Sequence, residues 1–308
     1  MIATAILLMQ VMISARAGLV NYVEGPANVS LQQQVLAGAP IQTGPAGHVE
    51  ILLNPGSFLR LDENSEVVLD SVELTRIAVR VVSGTVLIES AELDKGTSIH
   101  VTTGNLSTRI VSTGVYRFSG DTASVIDGKL ETADSSIKLK KGQEVTATGN
   151  GYEKTRLTAN AGSSELDRWS EGRSSKLASA NAMAYRERSS GSFYSYGGFP
   201  YWILFPNRAG WIYSPFLSGF TFIPSYNYRS YWGYSFVPFF VFANRGLPGS
   251  HARLSRRPGI YVNPQQRPSG GIIVSGPRAG PSRGSASGRS SVGSSRSRGG
   301  HGGMHARR

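Results

Sequence analysis

Apolar and polar positions alternate along the chain from Gly18 to about Gly151. In His48-Val49-Glu50-Ile51-Leu52-Leu53, the residues Val49, Ile51 and Leu53 fall on one face. Arg76-Ile77-Ala78-Val79-Arg80-Val81 alternates throughout, with Arg76 and Arg80 outward and Ile77, Val79 and Val81 inward. Val67 and Leu69, Val86 and Ile88, Ile99 and Val101, and Tyr116 and Phe118 repeat the period of two. That period predicts strands with one buried and one wet face. Between the runs stand Asn54-Pro55-Gly56, Ser83-Gly84, Lys95-Gly96, Gly120-Asp121, Asp127-Gly128, Lys141-Gly142 and Gly149-Asn150-Gly151. These are turn sequences, in which glycine supplies the positive φ of a tight reversal. Short strands spaced by roughly 8–12 residues predict an all-β roll, sandwich or barrel-like domain.

The pattern changes at Ser163. Ser163 or Ser164 can cap a helix whose first turn holds Glu165 and Asp167 at the positive end of the dipole. Leu166, Trp169, Leu177, Ala180 and Ala184 form a loose apolar stripe, and Gly172 weakens it. The expectation is a short or broken helix within a connector, with a solvated linker as the alternative. About 22 of the 29 Phe, Tyr and Trp residues then fall between Tyr185 and Phe242, interleaved with Gly, Pro, Ser and Asn. Prolines at 200, 206, 215, 224 and 238 interrupt any long element. This segment is expected to be aromatic, low in complexity and largely disordered, with short strands around Phe220–Ile223 and Phe236–Phe242. Beyond Asn244 the chain is Arg, Gly, Ser and Pro, too poor in apolar side chains to offset the entropy of ordering.

Ile2–Ile13 is an apolar run broken only by Thr4 and Gln10. About a dozen residues are too few to cross roughly 30 Å of hydrocarbon comfortably. Ala15 and Ala17 follow as small residues in an A-x-A arrangement, so a mature chain would begin at Gly18. The expected organisation is a signal peptide at 1–17, a β domain at 18–151 and a linker at 152–188. The aromatic segment at 189–243 and a disordered basic tail at 244–308 complete it. Export to the periplasm or the outer envelope surface follows. No Lys or Arg precedes the apolar run, and an uncleaved anchor is the alternative.

Charge divides along the same boundary. Gly18–Glu165 carries 12 Lys/Arg against 17 Asp/Glu, whereas Leu166–Arg308 carries 19 against 3. The net +12 therefore resides in the C-terminal half, where a basic tail is drawn to polyanions in a salt-sensitive way. Arg283, Arg289, Arg296 and Arg298 are the candidate contacts. RGG-like runs bind single-stranded nucleic acid. On an exported chain, lipopolysaccharide, peptidoglycan and acidic polysaccharide become the expected partners, and no specific nucleic acid is expected. The aromatic segment is a candidate for contact with a membrane surface.

Cysteine is absent, which excludes disulfides, Cys-based metal sites and thiol catalysis. His48, His100, His251, His301 and His305 lack metal-ligand spacing. His48 and Glu50 share strand parity and read as solvent-side polar residues rather than a general-base pair. Asp62, Glu63, Glu66 and Asp70 cluster near a turn, yet no calcium-loop pattern accompanies them. No Gly-x-Ser-x-Gly or Gly-Lys-Ser/Thr loop is present. No catalytic, metal or cofactor site is expected.

In Gly38 … Ile41-Gln42-Thr43-Gly44, the strand His48–Leu53, the Gly56-Ser57 turn, Leu59-Arg60-Leu61 and Asn64-Ser65-Glu66-Val67-Val68-Leu69, taken together, the β region resembles the FecR domain. The likeness continues through Val82-Ser83-Gly84-Thr85-Val86, Ser112-Thr113-Gly114-Val115-Tyr116-Arg117-Phe118, Asp127-Gly128-Lys129-Leu130 and Leu139-Lys140-Lys141-Gly142-Gln143-Glu144. Glu165-Leu166-Asp167-Arg168-Trp169 is similar to a linker that follows such domains. The resemblance implies a periplasmic β domain without catalysis. In its founding system this domain relays the state of an outer-membrane receptor to a cytoplasmic sigma factor. The expected function is thus a non-enzymatic envelope scaffold, contacting an envelope protein and anionic polymer. The alternatives are a FecR-type sensor held by an uncleaved Ile2–Ile13 segment and, more remotely, a cytoplasmic nucleic-acid binder.

Overall fold

A computed structural model describes residues 17–157, 164–189 and 209–238. Ile2–Ile13, Ala15, Ser163, His251, His301, His305 and the tail arginines Arg283, Arg289, Arg296 and Arg298 lie outside the described residues.

Two sheets form a sandwich. The first has eight strands, in the order β1 (Leu19–Glu24), β3 (His48–Leu52), β4 (Ser57–Leu61), β7 (Thr85–Ser90), β10 (Gly114–Ser119), β11 (Thr122–Asp127), β14 (Gln143–Thr148) and β15 (Gly151–Arg156). The second has seven, in the order β13 (Lys138–Lys140), β12 (Lys129–Thr132), β9 (Leu106–Ile110), β8 (Ser98–Thr103), β6 (Arg76–Ser83), β5 (Glu66–Glu73) and β2 (Pro40–Gln42). All neighbours pair antiparallel except β6 with β8. The expected all-β class is what the chain adopts.

The second sheet follows its sequence pattern closely. Along β6, Ile77, Val79 and Val81 are buried while Arg76 and Arg80 are exposed, and β8 and β9 alternate in the same way. Its inward residues meet Ile51, Leu59, Leu61, Val86, Ile88, Tyr116 and Phe118 from the first sheet in one continuous core. Two positions explain why particular residues close this core. Gly84 has φ +79°, and a Cβ there would lie 2.2 Å from Ser65 Oγ. Only glycine fits that conformation without strain. Gly128, at φ +99°, passes beneath the Tyr116 hydroxyl, 2.2 Å from where its Cβ would stand. That hydroxyl donates to Ser112 O (2.6 Å) and accepts from the Lys129 N–H (3.0 Å), so a buried phenol and two backbone groups satisfy one another.

The first sheet departs from its pattern. Strands β3 and β4 are buried at every position, and β7 at all but its first. Their outward residues are covered by α1 (Glu165–Ser189) and by two hairpins. These are β16 (Gly210–Ser214) with β17 (Gly219–Ile223), and β18 (Tyr228–Arg229) with β19 (Ser235–Phe236). The helix is longer than the sequence suggests. Gly172 points into open space, so it costs only about 1 kcal/mol of propensity and does not break the element. Residues 209–238 of the aromatic segment, where only short strands around Phe220–Ile223 and Phe236–Phe242 were expected in a largely disordered stretch, form these two hairpins. Their Trp211, Phe220, Phe222 and Phe236 are buried with Leu52, Phe58 and Leu177, and that burial supplies the stabilisation the low-complexity composition concealed. No helix among the described residues is long and apolar enough to cross a membrane.

Candidate functional site: the covered face of the eight-stranded sheet

The helix docks by its first turn. The Asp167 N–H donates to Ser164 Oγ (3.2 Å), and the Ser164 N–H and hydroxyl both donate to Asp167 Oδ2 (2.8 and 2.7 Å). This is a reciprocal cap of the capping-box kind. Asp167, almost wholly buried, also forms an ion pair with Arg117 on β10. Leu166 packs on Leu87, Val115 and Ile126. The Trp169 ring stacks on His48 (4.9 Å between centroids, 21° between planes), and its N–H donates to Glu24 Oε2 (2.9 Å). The Glu165–Trp169 motif is therefore the docking end of α1.

Next along the helix lies a buried charged cluster. Glu50 on β3 and Arg60 on β4 are cross-strand partners and are completely buried. Arg60 Nε donates to Glu50 Oε2 (3.0 Å), and its Nη1 donates to Glu89 Oε2 on β7 (2.7 Å). Arg173 of α1 donates to Glu50 Oε1 (2.8 Å) and lies 4.0 Å above the centre of the Tyr22 ring. The Ser174 hydroxyl donates to Glu89 Oε2 (2.5 Å) and accepts from Arg60 Nη2 (3.2 Å). Asn21 Nδ2 completes the shell of Glu50 at 2.9 Å. Two carboxylates face two guanidiniums, so the cluster is neutral as a whole. Neutrality and hydrogen bonding make ions tolerable away from water, and of the cluster's buried nitrogens only Arg173 Nε lacks a partner among the described residues. Burial pushes the Glu50 carboxyl up, but Arg173 and Arg60 outweigh it and hold it at about 2. Burial alone would lower the Arg60 pKa, and Glu89 with Glu50 raises it instead.

Two asparagines fasten the first hairpin. Asn21 donates to Phe220 O (3.0 Å) and accepts from the Phe220 N–H (2.6 Å). Asn181 donates to Phe222 O (2.9 Å) and accepts from the Val237 N–H (2.8 Å). Each side-chain amide thus stands in for a strand's backbone. Thr221 Oγ1 donates to Leu177 O (2.6 Å). Gly56, in the Gly-Ser turn, has φ +89°, and a Cβ there would come within 2.8 Å of the Phe222 ring.

The expectation that His48 and Glu50 face solvent is overturned. Both are buried, because the outer face of β3 is roofed by α1. His48 sits between Trp169 and Asp62, with Nε2 3.2 Å from Asp62 Oδ1. The acidic cluster disperses rather than converging. Asp62 faces His48, Glu63 accepts from the Ala46 N–H, Glu66 accepts from Gln42, and Asp70 pairs with Arg80. No group of three metal-type ligands occurs among the described residues. His100 lies on the outer face of the second sheet, its pKa lowered by partial burial and by Arg109 and Arg76.

The other motif residues occupy turns and the core. Thr43 Oγ1 donates to Asp62 O (2.6 Å) and accepts from the Ser65 N–H (2.9 Å), tying β2 to the β4–β5 turn. The Gly44 N–H donates to Pro26 O, and the Gly38 N–H to Leu69 O. Ser57 Oγ lies 2.9 Å from Ser90 Oγ. Gly114 opens β10, Phe118 is buried in the core, and Gly142 donates to Val125 O. Ala17 is wholly buried, its N–H bonded to Val72 O, and the Gly18 N–H bonds Leu52 O. Asn21, Arg60, Glu89, Arg173, Ser174 and Asn181 escape sequence reasoning. Among them only Arg60 carries a local signal, an arginine between strongly apolar neighbours in Phe58-Leu59-Arg60-Leu61.

Residues 39–131 match the family model described as FecR protein. The match takes in Glu50, Arg60 and Glu89 but stops short of α1 and the hairpins. Two crystal structures of a "putative anti-sigma factor" from Parabacteroides distasonis, at 1.65 and 2.50 Å, align at 17% and 18% identity with a TM-score of 0.35 each. The alignments cover 44% of this chain and 65% of those chains, somewhat under two thirds of their length. A search of the curated proteins returns no match.

Proposed function

From the premise that residues 39–131 carry a FecR domain, we propose that this chain is an exported, non-catalytic scaffold of the bacterial envelope. In this reading the sandwich, α1 and the hairpins act as one adhesive body, and the basic tail holds it to anionic envelope polymer. One observation carries the reading: the charged groups that could have offered chemistry on the first sheet are consumed in fastening the chain's own helix. Glu50, Arg60, Glu89 and Arg173 neutralise one another at 2.7–3.0 Å, so these four groups are committed to holding the helix and are not free for acid–base work. The tail, net positive and free of aromatics beyond Tyr261, supplies salt-sensitive attraction to polyanions. Fractionation of cells with N-terminal sequencing tests this. The protein is expected in the envelope, beginning at Gly18, and released at high salt. Release already at low salt, or a cytoplasmic location, refutes it.

A second reading, a FecR-type sensor anchored by residues 2–13, is favoured by one specific observation. Ala17 is locked into the sandwich through Val72 O (2.8 Å), so the domain is gripped immediately behind the apolar run. An intact N-terminus recovered in membranes would decide for it.

A further inference from the structure

A polar cleft of about 430 Å³ lies where the second hairpin meets the end of the sandwich. Its volume is within the range of about 300–1,000 Å³ typical of small-molecule sites. The sandwich contributes Gly114 and Asp127, the β13–β14 turn contributes Lys141, and the hairpin contributes Tyr228, Arg229 and Tyr231. The hairpin turn is rigid: the Ser230 N–H bonds Tyr234 O (2.8 Å), the Gly233 N–H bonds Ser230 O (2.9 Å), and the Tyr234 N–H bonds Ser230 Oγ (3.1 Å). Arg229 Nε donates to Gly233 O (3.1 Å). That bond fixes the guanidinium while leaving its two terminal nitrogens without a partner among the described residues. Lys141 Nζ stands 3.2 Å from Asp127 Oδ1 and 5.5 Å from the centre of the Tyr231 ring.

We propose that this cleft binds the carboxylate-bearing sugar units of an acidic polysaccharide. The inference rests on the envelope reading above and assigns it a saccharide site distinct from the tail. Two cations against one carboxylate make the cleft positive, although residues 18–165 together carry more acid than base. The positive spot is therefore local and not a reflection of composition. An arginine held by Nε presents a planar fork suited to a carboxylate. Asp127, paired with Lys141, offers sugar hydroxyls an acceptor and repels a phosphate dianion more strongly than a singly charged uronate. Tyr231 offers an aromatic wall, 38% exposed, to the apolar face of a pyranose. Tyr228 is held by Phe222 and Phe236. Burial, reinforced by Glu89, raises its pKa, so it remains a hydroxyl donor.

The test is calorimetric titration of the full chain with a galacturonic acid tetramer at about 0.15 M salt, where charges beyond about 8 Å are screened. A neutral galactose tetramer and inorganic phosphate are run in parallel. The acidic tetramer is expected to bind at least about tenfold more tightly than either control, as a charge-assisted bidentate contact warrants. Arg229→Ala should weaken it by about tenfold or more, and Arg229→Lys, which keeps the charge but loses the fork, by a smaller factor. The quadruple tail variant Arg283→Ala, Arg289→Ala, Arg296→Ala and Arg298→Ala should bind the tetramer like the parent. Unchanged affinity in Arg229→Ala, loss of binding in the tail variant, or equal binding of phosphate overturns the site. Attachment to isolated envelopes is measured alongside. Attachment without tetramer binding refutes the cleft and spares the scaffold, and tetramer binding without attachment does the reverse.

Discussion

Replacing Arg173 with methionine isolates the charged cluster, because methionine keeps an unbranched apolar stem like that of arginine while removing the charged head. Glu50 then keeps Arg60 and Asn21, but Arg60 already serves Glu89, so two carboxylates share one guanidinium. A buried pair broken on one side costs about 3–5 kcal/mol. The carboxyl itself gives a second estimate. A value of about 2 against 4.5 corresponds to about 3 kcal/mol of differential stabilisation at about 1.4 kcal/mol per unit. The group is fully buried, so no solvent screening reduces that figure. Its folded pKa lies below its unfolded one, so the contribution is complete above about pH 5 and fades as pH falls toward 2. Urea unfolding at pH 7, followed by fluorescence of Trp169, Trp211 and Trp232, should register a loss of about 3 kcal/mol in Arg173→Met. Between pH 7 and pH 3 the parent should lose more stability than the variant, whose Glu50 has lost its strongest cation. In the double variant with Glu50→Gln the two losses should fail to add by more than about 1 kcal/mol. A loss below about 1 kcal/mol at pH 7, the level of an exposed pair, together with additive singles, would refute the view that this cluster fastens the helix.

Other expectations follow from the same geometry. Gly84→Ala should destabilise by about 2 kcal/mol or more, since it combines a left-handed backbone with a clash against Ser65, and thermal unfolding measures it. Tyr116→Phe leaves the Lys129 N–H without its acceptor and should cost about 1–3 kcal/mol in denaturant unfolding. Arg80→Ala, at the exposed pair with Asp70, should leave the melting temperature unchanged. Asn181→Leu removes the amide that bridges α1 to Phe222 O and the Val237 N–H. Hydrogen exchange at Phe220–Ile223 should accelerate in that variant while β8 and β9 stay protected.

The second sheet was legible in the sequence because only one of its faces is covered. Arg76 and Arg80 look outward and are outward. The first sheet was legible in its strands and turns but not in its strand order or its burial. Glu50 and Arg60 stand where solvent-facing residues stand, and nothing local distinguishes a carboxylate bound for water from one bound for Arg173, 123 positions away. The helix was hidden for a related reason. Its buried positions, among them Leu166, Ser170, Arg173, Leu177 and Asn181, have helical spacing, but more than half are polar. Of the apolar stripe Leu166, Trp169, Leu177, Ala180 and Ala184, only Leu166, Leu177 and Ala180 are buried. The hairpins were obscured by their prolines and glycines. Pro215 and Gly219 turned out to bracket a single turn between β16 and β17, and the hydrophobic partners of that hairpin come from β3, β4 and α1 as well as from the second hairpin.

A helix fastened through polar contacts behaves differently from one fastened through an apolar stripe. An apolar stripe tolerates sliding, because one methyl resembles the next. Here Asp167 meets Arg117, Arg173 meets Glu50, Ser174 meets Glu89, and Asn181 meets Phe222 O and Val237 N. A shift by one helical turn of about 5.4 Å breaks all of these contacts together and strands Glu50 and Glu89 beneath the helix. The cover therefore has one register. Any partner seeking the covered face would have to replace Arg173 with a cation of its own and bring hydroxyls and amides to Arg60, Glu89 and the β17 backbone. Such a competitor faces the full desolvation cost of a buried ion cluster before it gains a contact. That cost directs recognition away from the covered sheet and toward the surfaces α1 leaves open, the second sheet's outer face and the hairpin rim around Arg229.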